Sequence, residues 1–257
     1  NKAYYDAMDY DKMVAIYKDR FRDASDFTFY LTGNIPREEA RELVEHYLGA
    51  IPSINRKEEP VEYHLRKEGS IRETIEANLP DEKCFVNVEF SNKLKLQPAE
   101  DLALDVLRII LSNRYRETIR EDEGGSYGVN VQASYARFPK NYQSFVVDFQ
   151  TNTTKGDRMR EIVYEQIQKV IREGVDDEEV DDAVLMMKKG RAGMLKNRGN
   201  AHWMEALRFY DETGKDIDSP VFFEKPLEKV NGKAVQVLAK KFFDTAECVD
   251  IVVRSKK

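Results

Sequence analysis

The chain has 257 residues, of which 41% are hydrophobic and 34% are charged, a balance that is ordinary for a globular protein. Its 41 basic and 47 acidic residues give a net charge of -6, and the two signs are interspersed rather than gathered in a basic stripe. This pattern excludes nucleic acid as an expected partner. No apolar run approaches the roughly 20 residues that span a bilayer, so we expect neither a membrane span nor a signal peptide.

The N-terminal segment predicts a helix followed by a strand. Apolar residues recur at helical spacing over residues 9–21. Residues 26–32 then alternate, which predicts a strand with one apolar side, formed by Phe27, Phe29 and Leu31.

A second helix and a linker complete this segment. Pro36 suits the first turn of a helix that ends near Gly49, and residues 51–60 have the composition of a linker. Because the chain starts at Asn1 and enters helix-like sequence at once, we expect a piece of a longer protein. Its cellular compartment stays open.

The middle of the chain predicts three strands and a long helix. The strands are expected at residues 61–65, 71–77 and 84–90, where apolar side chains alternate. The helix that follows Pro98 has a wide apolar face, which predicts packing on more than one side.

The remainder predicts a hairpin, several helices and a last strand. Residues 127–135 and 142–149 alternate as two strands joined by the turn signal "ARFPKN". Asp176 is the predicted cap of one of the helices that follow, and residues 249–253 form the closing strand. The predicted class is therefore α+β, a mainly antiparallel sheet with helices packed on one face.

The histidines do not form a recognisable metal site. The segment "ELVEH" resembles an H-x-x-E-H zinc motif, but Glu42 stands where its first histidine should be, before His46. In "HWMEA", which begins at His202, the second histidine is missing. His64 has no second histidine three or four residues away. A lone histidine on an amphipathic helix is usually structural, so we predict no metal site in this chain.

Two other chemistries are also excluded. Ser126 lies in "GGSYG" with no histidine nearby in sequence to activate it, so nucleophilic catalysis is not predicted. The same glycines match neither a dinucleotide fingerprint nor a Walker loop, and a strand rather than a helix follows them. Cys84 and Cys248 are expected to be small buried hydrophobes, with a disulfide between them open but unsupported.

Arg120 and Tyr127 remain as candidate functional residues. An arginine near a helix end and a tyrosine at the start of a strand are everyday structural choices. The functional alternative is that Arg120 offers its donors to backbone carbonyls or a carboxylate, while the hydroxyl of Tyr127 donates to a developing oxyanion. The glycines between them would let the backbone bring both side chains to one surface.

These residues carry a resemblance to a known family. The run "LDVLRIILSNRYRETIREDEGGSYGVNVQASY" resembles the stretch of pitrilysin/insulinase-like zinc metallopeptidases in which a helix ends in R-E-x-x-G-x-x-Y and a strand follows. Arg120 and Tyr127 have the family's spacing of seven. The upstream runs "YKDRFRDASDFTFYLTGNI" and "HYLGAIPS" are similar to family segments as well, so the resemblance covers essentially the whole chain.

The resemblance implies a C-terminal region of a four-domain peptidase. Residues 1–56 would be the tail of a preceding homologous domain, and residues 57–257 the C-terminal peptidase-like domain. The family's zinc motif belongs to the N-terminal half, and this chain lacks it. The resemblance therefore implies zinc in the parent protein with ligands outside this chain, and no hydrolysis by this chain alone.

The resemblance also implies roles and partners. Arg120 and Tyr127 would bind peptide substrate, and Tyr127 would have a catalytic role in stabilising the tetrahedral intermediate. The expected partners are the N-terminal half of the same protein and a peptide substrate. Because the predicted strand at 26–32 needs another surface, the chain is expected to bind that half or to form a homodimer. The alternative is a non-catalytic scaffold or peptide-binding subunit of the same fold.

Overall fold

The computed structural model describes residues 2–59, 61, 69–79, 81–122, 128–136 and 142–256, without the side chains of 120–122 and 136. The chain forms two compact units. Unit 1 comprises Asn1–Val61 and Arg198–Asp216, and unit 2 comprises Glu62–Asn197 and Ile217–Lys257. The sequence did not predict that residues 198–216 group with the N-terminal segment. The predicted domain boundary after residue 56 stays a prediction.

The described elements follow the predicted order, except that residues 26–32 form no strand and that the short helix at Glu224–Leu227 was not predicted. The helices are α1 Lys2–Asp6, α2 Tyr10–Arg20, α3 Arg37–Leu43, α4 Pro98–Tyr115, α5 Gly156–Glu173, α6 Asp177–Lys196, α7 Asn200–Thr213, α8 Glu224–Leu227 and α9 Gly232–Phe243. Two π-helical segments, Val44–Leu48 and Arg116–Asp122, continue α3 and α4. The strands are β1 Ile71–Ala77, β2 Lys83–Asn92, β3 Val129–Ala136, β4 Tyr142–Asn152 and β5 Glu247–Ser255.

Local capping explains where several helices begin. The side chain of Asp9 accepts a hydrogen bond from the backbone of Lys12 at the start of α2, and Asn231 caps α9 in the same way. Asp176 is the N-cap of α6, as predicted, and its backbone N–H donates to Glu179 over 3.0 Å. Such contacts satisfy backbone groups that the first helical turn leaves free.

Unit 2 is built around a five-stranded sheet with the order β1-β5-β2-β4-β3. The pairs β5–β2, β2–β4 and β4–β3 are antiparallel, and β1 pairs with β5 in parallel. The predicted class, α+β with a mainly antiparallel sheet, is confirmed. The parallel edge strand could not be predicted because pairing direction depends on partners distant in the chain.

Helices cover one face of this sheet. Along β2 the side chains of Cys84, Val86, Val88 and Phe90 are buried, and α5 packs on β2 and β4 while α4 packs on β3. At the end of α9, the ring of Phe243 contacts those of Phe90 and Phe145. The alternate residues Lys83, Phe85, Asn87 and Glu89 lie on the opposite face of the sheet and are partly or largely exposed. Each fully buried apolar side chain contributes roughly 1.5–3 kcal/mol.

The predicted strand at residues 26–32, which lie in unit 1, is wrong. This segment contains no strand, and Phe29 and Leu31 are 44% and 59% exposed. The hydroxyl of Tyr30 donates to Asp211 on α7 over 2.5 Å. The alternating pattern is present, but a strand also needs a backbone partner, and none of the described residues supplies one.

The two cysteines are free thiols on neighbouring strands. In the β2–β5 register, Cys84 lies opposite Arg254, whereas Cys248 lies opposite Phe90. The six-residue offset separates them by roughly 20 Å along the sheet, too far for a disulfide. Cys84 is buried as expected, whereas Cys248 is only partly buried.

Two other predicted elements lie largely outside the described residues. Of the predicted strand at 61–65 the structure describes Val61, and of the turn at 136–141 it describes the backbone of Ala136. No helix among the described residues combines the length and apolar character needed to cross a bilayer.

Candidate functional site

The predicted site lies at the C-terminal end of α4. This helix starts at Pro98, and the backbone N–H of Gln97 donates to Glu100 over 2.8 Å in a capping contact. Its wide apolar face is confirmed, because half of its residues are buried: Leu102, Ala103, Leu104, Val106, Leu107, Ile109, Ile110, Leu111 and Tyr115. The helix packs against α5, α6, α8, α9 and β3. It is therefore a rigid support for whatever follows it.

The last residues of α4 are anchored to two other helices. The hydroxyl of Tyr115, which is fully buried, donates to the carbonyl of Val163 on α5 over 3.0 Å. Arg114 donates from Nε and Nη2 to the two carboxylate oxygens of Glu179 on α6, over 2.7 and 2.6 Å. Such a two-pronged pair fixes both the distance and the orientation of its partners.

The electrostatics of this pair favour the charged forms. Burial alone would raise the pKa of Glu179, but the hydrogen bonds from Arg114 and from the backbone of Asp176 prevail and lower it. The hydrogen bond to Glu179 in turn raises the pKa of Arg114 against the effect of burial. The pair therefore stays ionised throughout the physiological range.

The π-helical segment Arg116–Asp122 follows directly. Its Thr118 hydroxyl donates to the carbonyl of Arg114 over 2.7 Å, and its Ile119 side chain has no exposed surface. The backbone of Arg120 comes next in the same segment, so its starting point is held by a buried neighbour. π-Helical geometry is rare in proteins and is frequently found at functional sites.

The side chain of Arg120 and the whole of Tyr127 lie outside the described residues, as does Ser126. The structure therefore neither brings Arg120 and Tyr127 together nor separates them. Gly128 is exposed, and β3 begins at Val129. Among the described strands, β3 pairs with β4 alone and forms an edge of the sheet.

An open cleft of about 680 Å³ lies beside Gly128 on the uncovered face of the sheet. Three of its polar residues form a row across neighbouring strands, because Asn87 lies opposite Asp148 and Asp148 lies opposite Asn130. The side-chain amide of Asn130 donates to Asp148 over 2.8 Å. The row presents amide and carboxylate groups that can hydrogen-bond a polar chain.

Sequence reasoning missed this row and the pair of Arg114 and Glu179. Alternation along β3 and β4 could have assigned Asn130 and Asp148 to polar faces. It could not have paired them, because register depends on the hairpin turn and on packing. Nothing in the sequence connects Arg114 with Glu179, which is 65 residues away.

The described residues do not fit a zinc ion. No group of three or more His, Cys, Asp or Glu side chains in the described part of the chain could hold a metal. The rings of His46 and His202 contact the adjacent Tyr47 and Trp203, and His64 lies outside the described residues. No catalytic step within this chain is assigned to a metal.

The buried cysteine is not a candidate nucleophile either. Burial raises the pKa of Cys84 above its usual value. A thiol needs a lowered pKa to react at neutral pH, because the thiolate is the nucleophile. Cys84 is therefore a packing residue.

Comparison with known families identifies the chain. The family model described as the peptidase M16 inactive domain matches residues 7–187. The chain belongs to this family. The match includes α4, the π-helical segment and the positions of Arg120 and Tyr127, and the resemblance to pitrilysin-like peptidases is confirmed. No curated protein sequence matches the chain.

Solved structures of M16-type proteins share the fold. A point mutant of the ferredoxin protease FusC, solved with Arabidopsis ferredoxin, matches with a TM-score of 0.75 and 16% identity over 99% of this chain and 28% of its own. The periplasmic protease PqqL from Escherichia coli matches with a TM-score of 0.67 and 16% identity, over 87% of this chain and 25% of its own. A peptidase M16 inactive domain from Pseudomonas fluorescens matches with a TM-score of 0.59 and 15% identity, over 88% of this chain and 52% of its own. The chain thus spans about a quarter of the first two proteins.

Proposed function

We propose that this chain is the substrate-binding, non-zinc part of a metallopeptidase that cleaves peptides. It would complete an active site whose zinc ligands belong to an N-terminal half of the same protein. The observation that carries the proposal is the inactive-domain match over residues 7–187, which includes the helix end at Arg120 and the strand start at Tyr127. The zinc would supply an activated water outside this chain.

Arg120 and Tyr127 would act on the peptide. The guanidinium of Arg120 would donate to a substrate carbonyl, and the hydroxyl of Tyr127 would donate to the oxyanion that forms when that carbonyl is attacked. The anchoring of α4 by Tyr115 and Arg114 supports this role, because a donor must be held rigidly to favour a transition state over water.

An extended peptide suits the surface beside this site. The uncovered cleft beside Gly128 and the edge strand β3 offer side-chain and backbone groups to an extended chain. Peptides commonly bind by adding a strand to such an edge. Extended binding favours unfolded peptides over folded proteins.

The surface of unit 1 supports the need for another polypeptide. Among its described residues, Phe209 is the one apolar residue that is buried, whereas many large apolar side chains are exposed. Exposed apolar surface of this extent marks a surface that another protein covers. We propose that the N-terminal half covers this surface. The alternative is that a second copy of the chain covers it, and the experiment must distinguish the two.

The proposal is tested by mixing this chain with its separately produced N-terminal half and zinc, and measuring cleavage of a quenched, unstructured peptide. Neither half alone should cleave the peptide. Arg120→Ala and Tyr127→Phe should each lower kcat/KM by about 10²-fold or more, as removal of an oxyanion donor does.

Two substitutions nearby serve as matched controls. Arg116→Ala removes an exposed arginine from the same π-helical segment, and Tyr135→Phe removes a hydroxyl from β3 on the sheet face opposite to the cleft. Both should leave kcat/KM within about threefold of the original value, less than 1 kcal/mol. If the assembled wild-type protein binds the peptide but never cleaves it, the proposal is wrong and the chain is a scaffold or peptide-binding subunit.

A further inference from the structure

We propose that Arg114 and Glu179 form a positioning pair that holds the π-helical segment in the orientation in which Arg120 meets the substrate. This inference rests on the proposed function, because it assumes that Arg120 contacts the peptide. Neither residue would touch the substrate.

The geometry of the pair is directional. Nε and Nη2 of Arg114 each donate to a different oxygen of Glu179, so the planar guanidinium and the carboxylate lie edge to edge. A single hydrogen bond would allow rotation about its axis, whereas two parallel bonds do not. The side chains of Arg114 and Glu179 are 13% and 28% exposed, so solvent competes little with these bonds.

Glu179 is itself held in place. It lies in the first turn of α6, where its Oε2 also accepts the backbone N–H of Asp176 over 3.0 Å. The same carboxylate therefore caps α6 and binds α4, which ties the end of one helix to the beginning of the other. Arg114 is attached to a fixed point rather than to a mobile surface side chain.

The pair acts where the helix changes its geometry. Arg114 precedes the π-helical segment by two residues, and its carbonyl accepts the Thr118 hydroxyl in that segment. Tyr115 secures the same turn to α5 through Val163. Anchors on two helices define both the position and the rotation of the turn, and Arg120 follows six residues after Arg114, roughly 9 Å along a helix.

A largely buried ion pair is weak evidence of a role in stability. A well-packed apolar pair of similar volume is often at least as stable as a largely buried ion pair. What the ion pair adds is a fixed orientation. A displacement of about 1 Å in a substrate-positioning group can lower a rate about 10²-fold.

The test is a double-mutant cycle in the assembled peptidase, made from this chain and its N-terminal half with zinc. Arg114→Lys keeps the positive charge but loses the second hydrogen bond to Glu179. Glu179→Gln keeps the shape of the side chain but loses its negative charge. Each should lower kcat/KM on the quenched peptide about tenfold or more when Arg120 is present. In the Arg120→Ala background neither change should lower kcat/KM by more than about twofold, because there is no guanidinium left to position.

A structural role would give a different result. If the pair only stabilised the fold, each substitution would lower the active fraction equally with and without Arg120, and this outcome would overturn the positioning role. Arg108→Lys, at the weaker pair with Asp105 on the same helix, is the matched control and should change neither background. If Arg120→Ala itself leaves kcat/KM unchanged, the proposed function is wrong, and not only the positioning role of Arg114 and Glu179.

Discussion

The sulfur of Cys84 occupies the space in which a β-carbon on Gly156 would stand. Gly156 opens α5, and Cys84 is a buried residue of the central strand β2, so neither backbone can easily move away. We expect Gly156→Ala to lower the free energy of unfolding by about 1–3 kcal/mol through overpacking. Urea unfolding measures the change.

Two comparisons isolate that contact. Gly190→Ala, in the middle of α6 with open space at its β-carbon, should instead stabilise the protein by about 0.5–1 kcal/mol through helix propensity. In a Cys84→Ala background, Gly156→Ala should cost much less than in the original chain. Equal costs in both backgrounds would show that the sulfur is not the obstacle.

Asp250 on β5 joins the edge strand β1 to α5. Its carboxylate, which is 1% exposed, accepts a hydrogen bond from the Tyr164 hydroxyl over 2.7 Å and pairs with Arg72 of β1 over 3.2 Å. Burial raises the pKa of Tyr164, and the hydrogen bonds with Cys248 and Asp250 raise it further, so the phenol remains a donor. We expect Asp250→Ala to cost about 1–3 kcal/mol in urea unfolding, because it removes the carboxylate that the part-buried Tyr164 hydroxyl donates to, whereas the half-exposed Arg72 keeps its pair with Glu161.

The exposed pair of Lys240 and Asp244 provides the comparison for Asp250. These side chains are one helical turn apart and 65% and 47% exposed. Asp244→Ala should therefore cost no more than about 0.5 kcal/mol. Similar losses for Asp244→Ala and Asp250→Ala would contradict the role of burial.

Asp23 makes unit 1 sensitive to acid. A hydrogen bond from Ser25, supported by backbone N–H groups of Ile54 and Arg56, lowers its pKa from 3.8 to about 2 despite the opposing effect of desolvation. A lowered pKa stabilises the folded form above the unfolded pKa, and this contribution is lost as the pH falls from about 4 to about 2. The protection of the Ile54 and Arg56 amides against hydrogen exchange, which is the observed rate corrected for its intrinsic pH dependence, should therefore fall over that interval.

Asp23→Asn should remove this dependence. The two amides should then be less protected at neutral pH, and their protection should change little on acidification through the same interval. Asp6→Asn, on the exposed helix α1, is the control and should leave the pH profile unaltered. An unchanged profile in Asp23→Asn would mean that another group controls the acid response.

The exposed apolar side chains of unit 1 should make the isolated chain associate at micromolar concentrations. Burying a leucine in an interface contributes roughly 1.5–3 kcal/mol, so Leu31→Ser should raise the dissociation constant by about tenfold or more. Sedimentation velocity measures the constant. Leu185→Ser, at a leucine of unit 2 that is 49% exposed, is the matched control and should leave it unchanged.

Trp203 reports which partner covers unit 1. It is the single tryptophan of the chain, it is 47% exposed, and the guanidinium of Arg198 lies 5.8 Å from its ring centre. Its emission should move to shorter wavelength when a partner covers α7. A shift that requires the N-terminal half supports the proposed assembly, a shift with the concentration of the chain alone supports a homodimer, and a dilute monomer with shielded Trp203 contradicts both.

Most helices and strands could be predicted from the sequence because their signals are local. The wide apolar face of α4, the stripe of α5 and the cap at Asp176 each arise within a single helix. Alternation likewise identified β1, β2, β4 and β5. The spacing of Arg120 and Tyr127, together with the two similar upstream runs, indicated the family, which the match over residues 7–187 bears out.

The tertiary structure alone decided which of these local elements meet. The parallel pairing of β1 with β5, the contact of Cys84 with Gly156 and the bond between Arg114 and Glu179 join residues between 65 and 178 positions apart. The segment at residues 26–32 has the alternation of a strand but no partner among the described residues, so it is not one. Periodicity in a sequence determines which side chains share a face of a helix or strand. Strand pairing and helix packing depend instead on contacts with residues that are distant in the chain.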